Sequence, residues 1–147
     1  MDKPSYPFRK VKRELIFEFD SISDTKTIHK VIAYELIDEQ NHIFNLSLVD
    51  KDEQGQISDL TVSNNQDMEK VLATVVQTLP LFFDEFVGAK VFFKGSTPAR
   101  TRLYQIVISK FSEDFKRNFA VWGFINNTPQ PFEKGTVYEA FLIQKLA

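Results

Sequence analysis

Between residues 68 and 86 the spacing of apolar side chains changes. Met68, Val71, Leu72, Val75, Val76, Leu79, Phe83 and Phe86 recur at intervals of three and four, the period of a helix with one buried face. This switch constrains the fold more than any other feature, because the chain before it runs on a period of two. Val11, Leu15, Phe17 and Phe19 interleave with Lys10, Lys12, Glu14, Glu18 and Asp20, which predicts one half-buried strand. Thr27–Asp38 is β-branched and apolar on both faces, as in a more central strand. Phe44, Leu46 and Leu48 alternate with Asn45, Ser47 and Val49 in a third strand, and residues 57–62 read as a fourth. The short turns between them predict an antiparallel meander.

The predicted helix has recognisable ends. Asn64 or Asn65 suits the cap, Asp67 and Glu69 fall where the dipole favours acids, and Gly88 suits the stop. Pro80 lies inside it, and a proline there removes the bond to the Val76 carbonyl and predicts a kink or break. Beyond it, residues 89–93 read as a strand and 98–111 as a second helix. A further turn spans 112–118 with Ser112 as its cap. Phe119–Ile125, holding the single Trp122, is a strand and 126–129 a turn. Pro131 bars a regular central strand after it, and 137–145 is the last strand. The expected fold is α+β. A mostly antiparallel curved sheet, made of a four-stranded N-terminal meander and C-terminal strands, carries two main helices on one face, in a single domain over 1–147.

The chain has no Cys, so disulfides, thiol catalysis and thiolate metal sites are excluded. That composition, an N-terminus without an apolar leader and the lack of any membrane-length apolar run predict a cytoplasmic protein with no membrane partner. Net charge is −2, so no global field draws the protein to nucleic acid. The charge is uneven, however. Residues 36–87 hold ten acids against Lys51 and Lys70, whereas residues 88–117 hold seven bases against Glu113 and Asp114. Such asymmetry builds a local positive surface, unless the blocks pair or are simply solvated.

Catalytic signatures are scarce. His29 and His42 are the only histidines and show no metal-ligand spacing. No GxSxG, Walker A, GxGxxG or HExxH motif occurs. The sequence therefore nominates no catalytic residue, no metal ligand and no cofactor. Asp50-Lys51-Asp52-Glu53-Gln54-Gly55-Gln56-Ile57 matches the opening of a calcium loop, but Thr61 stands where the bidentate Glu belongs and the flanks read as strands. An acidic hairpin loop is the better reading.

The densest run of Gly, hydroxyl, Pro and Arg residues is KGSTPARTRLY, residues 94–104. It lies between a predicted strand and a predicted helix. Thr97 suits the cap and Pro98 the first helical residue. Gly95 permits a close approach. Lys94, Ser96, Thr97, Arg100 and Arg102 surround a helix N-terminus with donors and positive charge, the make-up of an anion site. Lys90, Lys110, Tyr104 and Trp122 would extend it. Ordinary capping with ion pairing accounts for the same residues, and Arg100 and Arg102 leave the helix on different faces.

At these residues the chain resembles a small bacterial family, frequent in Bacteroidetes and known as a domain of unknown function. The resemblance rests on KGSTPARTRLYQ, on Ser63-Asn64-Asn65 with Asp67 ahead of Lys70-Val71-Leu72-Ala73-Thr74-Val75, and on Tyr138-Glu139-Ala140-Phe141. Gln66 departs from the SNNGD form. The resemblance implies one small bacterial domain and carries no activity, ligand or catalytic residue.

Three functions follow as alternatives. The first is a non-enzymatic binding module for a phosphate-bearing ligand, nucleic acid included, at residues 94–102. The second is a protein-interaction or regulatory module, antitoxin-like, with a protein partner or self-association; Phe82, Phe83 and Phe86 around Pro80 would supply its apolar surface. The third is a small enzyme acting on a phosphorylated substrate, with Arg100 and Arg102 holding it and Glu139 as base.

Overall fold

The computed structural model describes residues 5–13, 15–23, 26–58, 68–110 and 112–146. Among these residues the fold is α+β, a mostly antiparallel open sheet with three helices. Two compact units are present. One comprises Met1–Tyr34 and Ser47–Phe86, the other Glu35–Leu46 and Val87–Ala147.

The first unit contains β1 (Arg9–Lys12), β2 (Ile16–Ile22), most of β3 (Thr27–Asp38), the second half of β4 (Ile43–Lys51), β5 (Ile57–Ser58) and α1 (Met68–Glu85). The single strand expected from the alternation at Val11 to Asp20 is in fact a hairpin. β1 and β2 pair antiparallel with a register shift between Lys10 and Lys12. They are joined through a turn in which Arg13 has φ 21° and the Leu15 N–H donates to the Lys12 carbonyl at 2.7 Å. β1 is exposed along its whole length. Its Arg-Lys-Val-Lys sequence is too polar to be half-buried, and lysines on such a strand discourage pairing with another chain.

β2 sends Phe17, Phe19 and Ser21 inward, opposite Ile32, Lys30 and Ile28 of β3. α1 covers this unit's core. Phe82 stacks on Tyr34 with ring centroids 4.3 Å apart. The Tyr34 and Thr78 hydroxyls lie 2.7 Å apart, and the Tyr6 N–H donates to Thr74 Oγ1 at 2.8 Å. Burial pushes the Tyr34 phenol well above its ordinary pKa, outweighing the Thr78 hydrogen bond, and so keeps it a neutral hydroxyl.

The break expected at Pro80 does not occur, and α1 runs through it. Pro80 lies on the exposed face of the helix. Leu79, Phe82 and Phe83, each at most 2% exposed, anchor the second half of the helix from the other side. Phe86 is half-buried and Gly88 follows at φ 82°. The apolar surface expected around Pro80 is therefore largely core. The expected cap at Asn64 or Asn65, Asp67, and residues 59–62 of the fourth strand lie outside the described residues.

The second unit contains the tip of the β3–β4 hairpin, β6 (Lys90–Phe93), α2 (Pro98–Lys110), α3 (Ser112–Asn118), β7 (Phe119–Ile125), β8 (Thr128–Pro131) and β9 (Ala140–Lys145). Strand order here is β3-β4-β6-β9-β7-β8. β4 and β6 are parallel, whereas β6–β9, β9–β7 and β7–β8 are antiparallel. The Asn126-Asn127 turn, with φ 51° and 61°, closes the β7–β8 hairpin. β8 follows where only a turn and a proline interruption were expected. Among the described residues it pairs with β7 alone, which is why Pro129 and Pro131 are tolerated.

β9 starts at Ala140, three residues later than the alternation predicts. Tyr138 is turned into the core with Ile108 and Phe141. Its ring lies over Gly123, so closely that a Cβ on Gly123 would sit 2.2–2.5 Å from three ring carbons. Its hydroxyl accepts from the Glu133 N–H at 2.8 Å and donates to the Pro131 carbonyl at 3.3 Å. These contacts hold residues 132–139 in a fixed loop instead of a strand.

Candidate functional site

The β6–α2 turn is built from its own sequence. Thr97 is the cap: its Oγ1 accepts from the Arg100 N–H at 3.2 Å, and its carbonyl accepts from the Thr101 N–H at 3.0 Å. Pro98, with no N–H to satisfy, starts the helix. Gly95 is buried against the first turn, and its N–H donates to Thr101 Oγ1 at 3.0 Å. A Cβ on Gly95 would lie 2.6 Å from the Thr101 nitrogen and 2.7 Å from Arg100 Cβ. The glycine thus serves the approach of strand end to helix, and its N–H is already used. Gly95→Ala is expected to destabilise the protein by about 1–3 kcal/mol, read as a lower urea midpoint; an unchanged midpoint would refute this tight seat.

Lys94, Ser96 and Thr97 are exposed beside the turn. Arg100 is half-buried and its Nη2 is shut off from solvent with no hydrogen-bond partner among the described residues. Among the described residues neither Arg100 nor Arg102 forms an ion pair. The two arginines serve different surroundings. Arg102 is exposed and lines a cleft with Gln105, Ile106, Ser109, Gly135 and Val137, none of them in the 94–101 turn.

Among the extending residues, Tyr104 requires a correction. It is 4% exposed and stacks on Phe93 with centroids 4.8 Å apart, so its face is not open to a base. Its position one turn after Thr101 on the buried side of α2 explains this. Trp122 and Lys90 are half-buried strand residues, and Lys110 is exposed at the end of α2.

Glu139, the base of the enzyme alternative, accepts a hydrogen bond from the Asn126 N–H through its carboxylate and so braces the β7–β8 turn. In the loop resembling a calcium site, Asp50 faces Lys30 at 2.5 Å, while Asp52 Oδ1 accepts from the Gln54 and Gln56 N–H groups at 3.0 and 2.8 Å. β4 and β5 flank it, giving an acidic hairpin. Thr61 lies outside the described residues.

A charged cluster on β1–β3 went unnoticed in the sequence. His29 Nδ1 lies 2.7 Å from Asp20 Oδ1, and its Nε2 lies 2.6 Å from Glu18 Oε1, which also accepts from Arg9 at 3.0 Å. Burial raises the Glu18 pKa, but the hydrogen bond and charge of His29, with Lys51 and Arg9, outweigh it and hold the carboxyl below its ordinary value. Both ring nitrogens of His29 thus face carboxylates. The available signal was the i, i+2 spacing of Glu18 and Asp20, which puts both on one strand face; the cross-strand register that brings in His29 was not readable.

No helix among the described residues is long and apolar enough to cross a membrane. The family model described as "Family of unknown function (DUF6934)" matches residues 2–146, and the chain belongs to that family. No curated protein and no solved structure matches the chain.

Proposed function

We propose that this chain is a non-enzymatic binding module of a bacterial cytoplasm whose β6–α2 turn holds phosphate or another compact oxyanion. Arg100 is the principal donor, with Lys94 and Ser96 beside it. One observation carries the reading: Arg100 Nη2 is buried and lacks a hydrogen-bond partner among the described residues. A buried guanidinium N–H without an acceptor is costly, and an oxyanion would relieve it with a charge-assisted bond. The start of α2, next to Lys94 and Ser96 in the chain, adds partial positive charge. The Cys-free composition supports the reducing compartment. Tyr104 is buried, so the reading favours a small phosphate-bearing ligand over a stacked nucleic acid.

The test is an amide-resonance titration with inorganic phosphate at low salt. Phosphate is expected to move the signals of Ser96, Thr97 and Arg100 saturably. Arg100→Gln, with an unchanged circular dichroism spectrum, is expected to weaken binding about tenfold or more. Signals that stay put through the whole titration would refute the reading.

A further inference from the structure

We infer a second site, on the flank of α2, that takes a small carboxylic acid with a short hydrocarbon tail. It goes beyond the oxyanion turn and uses different residues. Arg102, Gln105, Ile106 and Ser109 follow one another at i, i+3, i+4 and i+7, so they form a single stripe along the helix. Together with Gly135 and Val137 they line a cleft of about 270 Å³.

The walls are fixed before any ligand arrives. Gln105 uses both ends of its amide to tie helix to loop. Its Nε2 donates to the Thr136 carbonyl, and its Oε1 accepts from the Tyr138 N–H at 3.0 Å. Tyr138 in turn is locked by Glu133, Pro131 and the close seat over Gly123. A preformed cleft lowers the ordering cost of binding.

The lining specifies the ligand class. Arg102 is a fork-shaped donor without an ion pair among the described residues, and its geometry matches a carboxylate. Ser109 adds a hydroxyl. Ile106 and Val137, 52% and 56% exposed, leave branched aliphatic surface uncovered beside that charge. The volume falls a little below the usual range for drug-sized ligands, which restricts the tail to a short one. An inorganic oxyanion would leave the aliphatic walls wet, whereas a neutral hydrocarbon would leave Arg102 unpaired.

The experiment follows the Ile106 and Val137 methyl resonances during titration with hexanoate, hexanamide and inorganic phosphate. Hexanoate is expected to move both methyl signals saturably, and hexanamide to bind about tenfold more weakly or worse. Arg102→Gln should weaken hexanoate binding about as much while leaving any phosphate response at Arg100 intact. Arg100→Gln should leave hexanoate binding unchanged, so failure here and failure of the oxyanion turn are distinguishable. The site is overturned if hexanoate gives no saturable methyl shift. Equal binding of acid and amide, or hexanoate binding indifferent to Arg102→Gln, overturns it as well.

Discussion

Lys30→Met is expected to destabilise the protein by about 3–5 kcal/mol, lowering the urea midpoint by roughly 2 M at a typical slope for a small protein. Lys30 and Asp50 pair at 2.5 Å with side chains only 6% and 10% exposed, and Asp50 Oδ2 has no hydrogen-bond partner among the described residues. Removing the lysine leaves a buried carboxylate with neither countercharge nor donor. The double variant Lys30→Met, Asp50→Leu removes both charges and is expected to stand near the wild type, within about 1 kcal/mol, or above it. Equal losses in the single and double variants would mean that Lys30 contributes through its hydrocarbon stem and not through the pair.

Phe82→Ala is expected to cost about 3–5 kcal/mol, the range for truncating a fully buried phenylalanine. Phe82 is 0% exposed and packs against Tyr34, Phe83 and Phe86, with centroids 4.3, 5.3 and 5.1 Å away. The loss should appear in denaturant unfolding and leave the sedimentation behaviour of the folded protein unchanged. This separates core from partner surface. A loss under about 1 kcal/mol accompanied by a changed oligomeric state would return these aromatics to an interaction role. The burial of Phe83 at 2% points the same way as that of Phe82.

Local chemistry was legible wherever the residues that decide it are neighbours. The three-and-four spacing over Met68 to Phe86 located α1 because helix neighbours lie within a turn of each other. Thr97 and Pro98 marked the start of α2 because capping bonds span only three or four residues. The turn at Asn126-Asn127 and the acidic loop at Asp52 were readable for the same reason. In the candidate site, the donor-rich make-up of residues 94–102 was visible, and so was the divergence of Arg100 and Arg102.

Where partners are remote, the pattern misled or fell silent. The alternation over Val11 to Asp20 hid a hairpin, because pairing of β1 with β2, and the exposure of β1, depend on what covers each face. Tyr138 looked like part of a strand until Gly123, fifteen residues earlier, offered its ring a seat. Pro80 looked like a break until the burial of Leu79, Phe82 and Phe83 held the helix through it.

The sequence by itself determined where the helices and the strands β3, β4, β6 and β7 lie, how α2 is capped, and that charge, hydroxyl and glycine gather at residues 94–102. Only the tertiary structure decided that Gly95 seats the strand end against α2, that Tyr104 is buried on Phe93, and that Arg102 lines a cleft with Gly135 and Val137. It also decided that Arg100 keeps a donor unpartnered among the described residues and that His29 is held between Glu18 and Asp20. The physical reason is one of range. Periodicity and capping are settled by bonds a few residues long, whereas burial and the pairing of charges depend on which distant segments the packed core brings together.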